Sequence, residues 1–141
     1  MEIVAATNYR EQIKSLLTGN NLPVNDLPTL LDNFVVALSN GEVAGSAGLE
    51  IYGKYGLLRS VAVKADFRGQ GVAGKLLDRI EKLASVKGLL EIYLLTETAD
   101  KYFENKQYLR MARTDAPVEI QRSSEFSSVC PQSAVLMKKI I

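Results

Sequence analysis

Eight consecutive residues, Arg68-Gly69-Gln70-Gly71-Val72-Ala73-Gly74-Lys75, carry the clearest chemistry in the chain. Glycines let a backbone approach a ligand closely, and the amides of a first helical turn lack intrahelical acceptors and attract anions. Arg68 adds a formal positive charge. The stretch reads as a seat for a pyrophosphate. An apolar run, Val61-Ala62-Val63, precedes it across the polar elbow Lys64-Ala65-Asp66-Phe67. A helical pattern follows, with Val72, Leu76, Ile80, Leu83 and Ala84 on one face, and Gly88 is placed to stop it. The predicted unit is strand, glycine turn and a helix over 71–87.

Three phosphate-binding patterns can be laid on these residues. Gly69-x-Gly71-x-x-Gly74 spells the dinucleotide fingerprint, which needs its first glycine directly after a strand. Here Lys64-Ala65-Asp66-Phe67-Arg68 intervenes. Gly69-x-x-x-x-Gly74-Lys75 spells most of a P-loop, but Leu76 stands where Ser or Thr must hold magnesium. The third pattern, Arg/Gln-x-x-Gly-x-Gly/Ala, is matched by Arg68 to Ala73 and tolerates the elbow. It is the coenzyme A signature of the GNAT superfamily of N-acetyltransferases, which this chain resembles.

Composition narrows the remaining classes. A chain of 141 residues, 47% hydrophobic and 23% charged, suits one domain over 1–141. A net charge of +1 gives no basic surface for nucleic acid. No apolar run reaches membrane-spanning length, and Met1-Glu2-Ile3-Val4 does not read as a signal peptide, so a cytoplasmic location is expected. The single cysteine, Cys130, reads as a small buried residue and excludes an internal disulfide. Histidine is absent, which excludes Ser-His-Asp and Cys-His catalysis and His-ligated metals, and no metal site is expected. A general base must then be a carboxylate, a held water or a tyrosine.

The elements that must position these residues follow in order. A strand over 2–6 leads to a helix that Asn8 and Glu11 could cap. Residues 20–32, with Pro23 and Pro28, read as a connecting loop or short helix, whereas the resemblance implies that they form part of the acceptor's wall. Strands at 34–38 and 43–51 flank the Asn40-Gly41 hairpin turn, and a third strand at 57–63 feeds the glycine turn. Gly45 and Gly48 either weaken the second of these strands or mark a close approach. Residues 89–96 read as a buried central strand, Thr98 can cap a short helix through Asn105, and strands are expected at 108–113 and 134–140. Residues 117–126 read as irregular or briefly helical.

This order is the superfamily's, so the resemblance implies an α/β (α+β) fold. It predicts one mixed, twisted sheet of about six to seven strands flanked by helices. Two stretches narrow it. Leu94-Leu95-Thr96-Glu97-Thr98-Ala99 with Tyr102-Phe103 is similar to a segment of amino-acid N-acetyltransferases, especially the glutamate-acetylating domain. Leu58 to Val63, Tyr93 to Ala99 and Cys130 to Ala134 resemble acetyltransferases of arsenic-resistance operons.

The resemblance implies site roles. Acetyl-CoA would lay its pantetheine arm along the backbone of Val61, Ala62 and Val63, with an amide near Val61 facing the thioester oxygen. Arg68, Gly69, Gln70, Gly71, Val72, Ala73, Gly74 and Lys75 would hold the phosphates, and Thr96 would also touch the cofactor. The family's glutamate is absent before Val61, leaving Glu50, or less readily Glu97, as base. Phe103 fills the usual tyrosine slot, leaving neighbouring Tyr102 as acid, unless the thiolate departs unaided. Arg59, in line with Val61 under strand alternation, could clamp an acceptor carboxylate, a surface salt bridge being the alternative. Thr98 is assigned to the acceptor as well. Arg113 and Arg122 read as exposed. The expected activity is N-acetylation of a small amino-acid-like amine by a monomer or homodimer. A non-catalytic CoA-binding domain and a peptide N-acetyltransferase are the alternatives.

Overall fold

Alternation of side chains decides how the strands face. Val35 and Ala37 point to one layer, Phe34, Val36 and Leu38 to the other, and each set is buried in a separate cluster. The computed structural model describes residues 1–129 and 131–141, so Cys130 lies outside the described residues. The strands are β1 (Glu2–Ala5), β2 (Phe34–Ser39), β3 (Glu42–Tyr52), β4 (Tyr55–Val63), β5 (Glu91–Thr96), β6 (Leu109–Met111) and β7 (Val135–Ile140). They form one sheet in the order β1-β2-β3-β4-β5-β7-β6. Every pairing is antiparallel except β4 with β5. This is the expected mixed sheet flanked by helices.

The helices are α1 (Arg10–Gly19), α2 (Val72–Val86), α3 (Asp100–Asn105) and α4 (Val118–Gln121). α2 buries Val72, Leu76, Leu77, Ile80 and Ala84 against Val35, Ala47, Leu49, Leu58 and Ile92. α1 packs Ile13 and Leu17 on the opposite face, against Phe34, Val36 and Ala62. α4 covers that same face farther along, where Ile120 meets Leu57, Tyr93 and Leu136. β5 is internal and buries consecutive Ile92, Tyr93 and Leu94, as its apolar run predicted. Among the described residues no helix is long and apolar enough to cross a membrane.

Three local expectations are corrected. Asn8 does not cap α1: Tyr9 holds the cap position without a side-chain bond, and its carbonyl accepts from Ile13 N–H at 2.9 Å. Thr98 does not cap α3. Thr96 Oγ1 accepts from Ala99 N–H at 3.0 Å instead, closing the turn that leads into that helix. The strand expected at 108–113 shrinks to Leu109–Met111, because Tyr108 turns inward to full burial and Arg113 begins a 3₁₀ turn. Residues 20–32 form no second helix.

Candidate active site

β4 and β5 run together for only three residues: Tyr55 with Glu91, Gly56 with Ile92 and Leu57 with Tyr93. Beyond that point β4 continues to Val63, held to β3 on its other side, and β5 to Thr96, held to β7. The two strands part. A cleft of about 990 Å³ fills the gap, walled by Leu58 to Val63 on one side and Leu94 to Ala99 on the other. The edge of β4 thus faces open space just before the glycine turn.

That turn closes the end of the cleft. Gly69 and Gly71 have φ of 79° and 78°, a left-handed conformation that favours glycine, and a Cβ at either would meet nothing within 4 Å. Gly71 caps α2, and Lys75 N–H is bonded back to its carbonyl at 3.2 Å. The amides of Val72, Ala73 and Gly74 precede that first intrahelical bond and stay available to a ligand. Arg68 donates from Nε to the Val63 carbonyl at 3.2 Å and from Nη2 to Asn20 Oδ1 at 2.7 Å. The cation is thereby held at the mouth, where Asn20, Arg68 and Ala73 all line the cleft. A phosphorylated ligand fits this cradle, whose glycines leave its approach clear.

Arg59 does something other than its sequence position suggested. Gly48 pairs with Arg59 and Ser46 with Ala62, so Ala47 faces two residues of β4, Ser60 and Val61. Ser60 has φ of 58°, and Ser46 Oγ donates to its carbonyl at 2.8 Å. This bulge shifts the alternation by one. Leu58, Val61 and Val63 pack towards α2, whereas Leu57 and Ala62 pack on the other side, so Arg59 is not in line with Val61.

The Arg59 side chain has no exposure. It donates from Nη1 and Nη2 to the two Asp26 oxygens, both at 2.8 Å, and from Nη1 to Glu50 Oε2 at 3.4 Å. Nε donates to Ser60 Oγ at 3.0 Å and stands 3.6 Å from Glu125 Oε1. Burial works against the charge, but the Asp26 hydrogen bond and the attraction of Glu125, Asp26 and Glu50 outweigh it and raise the guanidinium's pKa. The fork that was to clamp an acceptor carboxylate is filled by Asp26. The neighbourhood is acidic, not positive. Glu50 is corrected too: it does not line the cleft, and its carboxylate accepts from Arg59 and from the Tyr52 hydroxyl at 3.0 Å.

The sequence model of the acetyltransferase (GNAT) domain matches residues 31–108, which span β2 through α3 and include the whole glycine turn. The chain belongs to the GNAT acetyltransferase family. Its fold is similar to that of a Mycobacterium tuberculosis protein solved in complex with CoA and NLQ. The TM-score is 0.85 at 22% identity, covering 100% of this chain and 99% of that one. It is similar, with TM-score 0.84 and 15% identity, to N-acetylglutamate synthase of Neisseria gonorrhoeae complexed with coenzyme A and N-acetyl-glutamate, covering 99% of this chain and 34% of that one. In sequence it is 28% identical over 110 residues to an amino-acid acetyltransferase of Ralstonia nicotianae, covering 77% of this chain and 24% of that protein. An acetyltransferase of Pectobacterium atrosepticum is 39% identical over 64 residues, 45% of each chain. The matches thus span less than half the length of these two curated relatives.

Within this GNAT cleft the other candidates fall into place unevenly. Val61, Ala62, Val63, Arg68, Ala73, Thr96, Thr98 and Tyr102 all line it. Tyr102 packs edge-on to Phe103 at 5.3 Å, and burial together with the Asp78 charge pushes its pKa up. Glu97 lines the cleft but is exposed. Residues 20–32 were read as a connector or as acceptor wall, and two further wall segments, at Glu125 and at Pro131 and Ala134, escaped the sequence reading as site residues. Asn20 to Asn25 supply one wall, and the Arg10 guanidinium steadies the chain just beyond by gathering the carbonyls of Leu27, Pro28 and Thr29. Glu125 supplies a buried carboxylate, and Pro131 and Ala134 complete its side. Arg113, expected to be exposed, holds that side by donating to the carbonyls of Ala134 and Phe126, each at 3.0 Å. Cys-Pro at 130–131 was the one signal of that wall, and it came through resemblance alone.

Proposed function

We propose that the chain is an acetyl-CoA-dependent N-acetyltransferase that moves the acetyl group directly to a small, amino-acid-like amine. The observation that carries this reading is the parting of β4 from β5 beside the glycine turn. It leaves the Val61 to Val63 backbone as an open strand edge whose end meets the amides of α2 and the Arg68 charge. An extended arm ending in a pyrophosphate has the shape and polarity to use both. Bound acetyl-CoA supplies the acyl thioester. Backbone amides on the β4 edge polarise its carbonyl, a contribution of several kcal/mol where donors are preorganised. The Tyr102 hydroxyl, kept protonated by burial and by Asp78, donates towards the leaving sulfur.

The acceptor is small because the cleft is walled on the acceptor side by Asn20 to Asn25 and by Glu125, Pro131 and Ala134. Amino-acid character is supported by the names of the Ralstonia relative and the Neisseria structure. With Arg59 bound to Asp26, an acidic group on the acceptor must be met by Thr98, Asn21 or Asn25, which line the same cleft. The test is thiol release from acetyl-CoA with a panel of amino acids, their decarboxylated analogues and short peptides, with products identified by mass spectrometry. Acetylated amino acids in preference to peptides support the reading. Tight CoA binding with no turnover of any amine overturns it in favour of a non-catalytic domain.

A further inference from the structure

The family's strand carboxylate is missing and Glu50 faces away, yet two acidic residues do line the cleft, Glu97 and Glu125. Glu97 is exposed, whereas Glu125 is 5% exposed. Glu125 opens the helical segment Glu125–Val129 between α4 and β7, which the Arg113 bonds hold in place. Its Oε1 lies 3.6 Å from Arg59 Nε, longer than a hydrogen bond, and that Nε donates to Ser60 Oγ. The same guanidinium serves Asp26 and Glu50. Three carboxylates therefore share one cation, a formal charge of −3 + 1 = −2 for the four groups. Concentrating negative charge out of water is costly unless a further cation offsets it. Of the three carboxylates, only Glu125 lies on the cleft wall, together with Leu58 to Val61, the edge proposed to hold the thioester.

We propose that Glu125 is the residue that meets the acceptor's nitrogen, holding it as an ammonium and then taking its proton. In the transfer, a nitrogen–carbon bond forms at the thioester carbonyl as the carbon–sulfur bond breaks. The electron pair leaves on sulfur. Glu125 takes the first proton from the ammonium and so frees the nitrogen's electron pair for attack. The second nitrogen proton passes to water once the bond has formed, and the thiolate takes a proton from water or from Tyr102, which recovers it from water. Arg59 acts as a positioning residue, since its guanidinium is bound to Asp26 and holds Glu125. The inference rests on the acetyl-transfer reading.

The experiment compares wild type with Glu125→Gln and Glu125→Asp on two acceptors at neutral pH. One is an aliphatic amine that is mostly protonated, the other a hydrazide that is mostly neutral. Glu125→Gln is expected to lower kcat/KM about a hundredfold for the aliphatic amine and less than about tenfold for the hydrazide, as loss of a proton acceptor requires. Affinity for acetyl-CoA by calorimetry should be unchanged, and Glu125→Asp should recover part of the rate. Equal losses on both acceptors, or a parallel loss of acetyl-CoA affinity, would make Glu125 structural and overturn the inference; so would an unimpaired Glu125→Gln. If Glu125→Gln does not fold, Glu125→Asp decides: a loss confined to the protonated amine supports the role, and wild-type kinetics refute it. A wild-type protein that binds acetyl-CoA but turns over neither acceptor brings down the transferase reading itself, and this inference with it.

Discussion

Arg59→Met removes the guanidinium and keeps much of its volume. The side chains of Asp26, Glu50 and Glu125 are 10%, 15% and 6% exposed, so their charges cannot simply turn into water. Removing one partner of a buried ion pair costs about 3–5 kcal/mol. A chain of 141 residues has roughly 7–21 kcal/mol in total, so the variant should fold with a reduced margin. Arg59→Lys keeps the charge but cannot fork onto both Asp26 oxygens. It should cost less, about 1.5–3 kcal/mol, the worth of a hydrogen bond to a charged group. Adding Asp26→Asn to Arg59→Met should recover stability, because it removes one of the stranded carboxylates. Urea unfolding, with the slope checked for constancy, reads all three. The reasoning fails if Arg59→Lys unfolds at the wild-type urea midpoint while the acceptor's Michaelis constant rises. Arg59 would then be the acceptor clamp that simple strand alternation suggests.

Three further outcomes are expected. Gly71→Ala has open space for its Cβ, so the fold should lose only the left-handed strain, about 1 kcal/mol, while affinity for acetyl-CoA falls at least about tenfold, or 1.4 kcal/mol. Unchanged affinity by calorimetry would remove the glycine turn from the site. Tyr102→Phe should lower kcat about a hundredfold with acetyl-CoA binding intact, and near-normal turnover would mean unassisted thiolate departure. At high pH, Tyr52 is pushed up from 10.0 to about 12 by burial and by the Glu50 carboxylate. A raised acid is stabilised in its protonated form, so its contribution holds below pH 10 and is lost as pH rises towards 12. Tyr52→Phe should flatten that part of a stability–pH curve, and an unchanged curve would dismiss the Tyr52–Glu50 bond as its origin.

Local rules predicted what local geometry controls. Asn40 and Gly41 both have positive φ, 52° and 79°, the hairpin turn that their types demand. Gly48 marks a close approach, since a Cβ there would sit 2.3 Å from the Phe34 ring. The apolar face of α2 was legible except for Leu77, which is buried in the same cluster as Leu76 and Ile80. The glycine turn was read from type and spacing and Tyr102 from the family resemblance, and Arg68, Ala73 and Tyr102 line the cleft.

The acceptor end was not legible, for three reasons. A serine with positive φ leaves no mark in the sequence, and the Ser60 bulge is what turns Arg59 away from Val61. Asp26 is distant in sequence from Arg59 and lies in a loop whose path depends on the Arg10 hydrogen bonds. Glu125 sits in a segment without periodicity, and only tertiary packing brings it to the cleft.

The three-residue junction of β4 with β5 also has a mechanical consequence. It divides the sheet into two leaves on a short spine, one of β1 to β4 and the other of β5, β7 and β6. Under thermal agitation or a pulling force, the sheet should tear along this line first. A ligand lying against Val61 to Val63 would stitch the leaves together, slowing exchange of those amides and making the leaves unfold as one unit. Ligand concentration would then set the lifetime of the protein against proteases as well as its turnover, so that a starved cell would degrade the idle copies first.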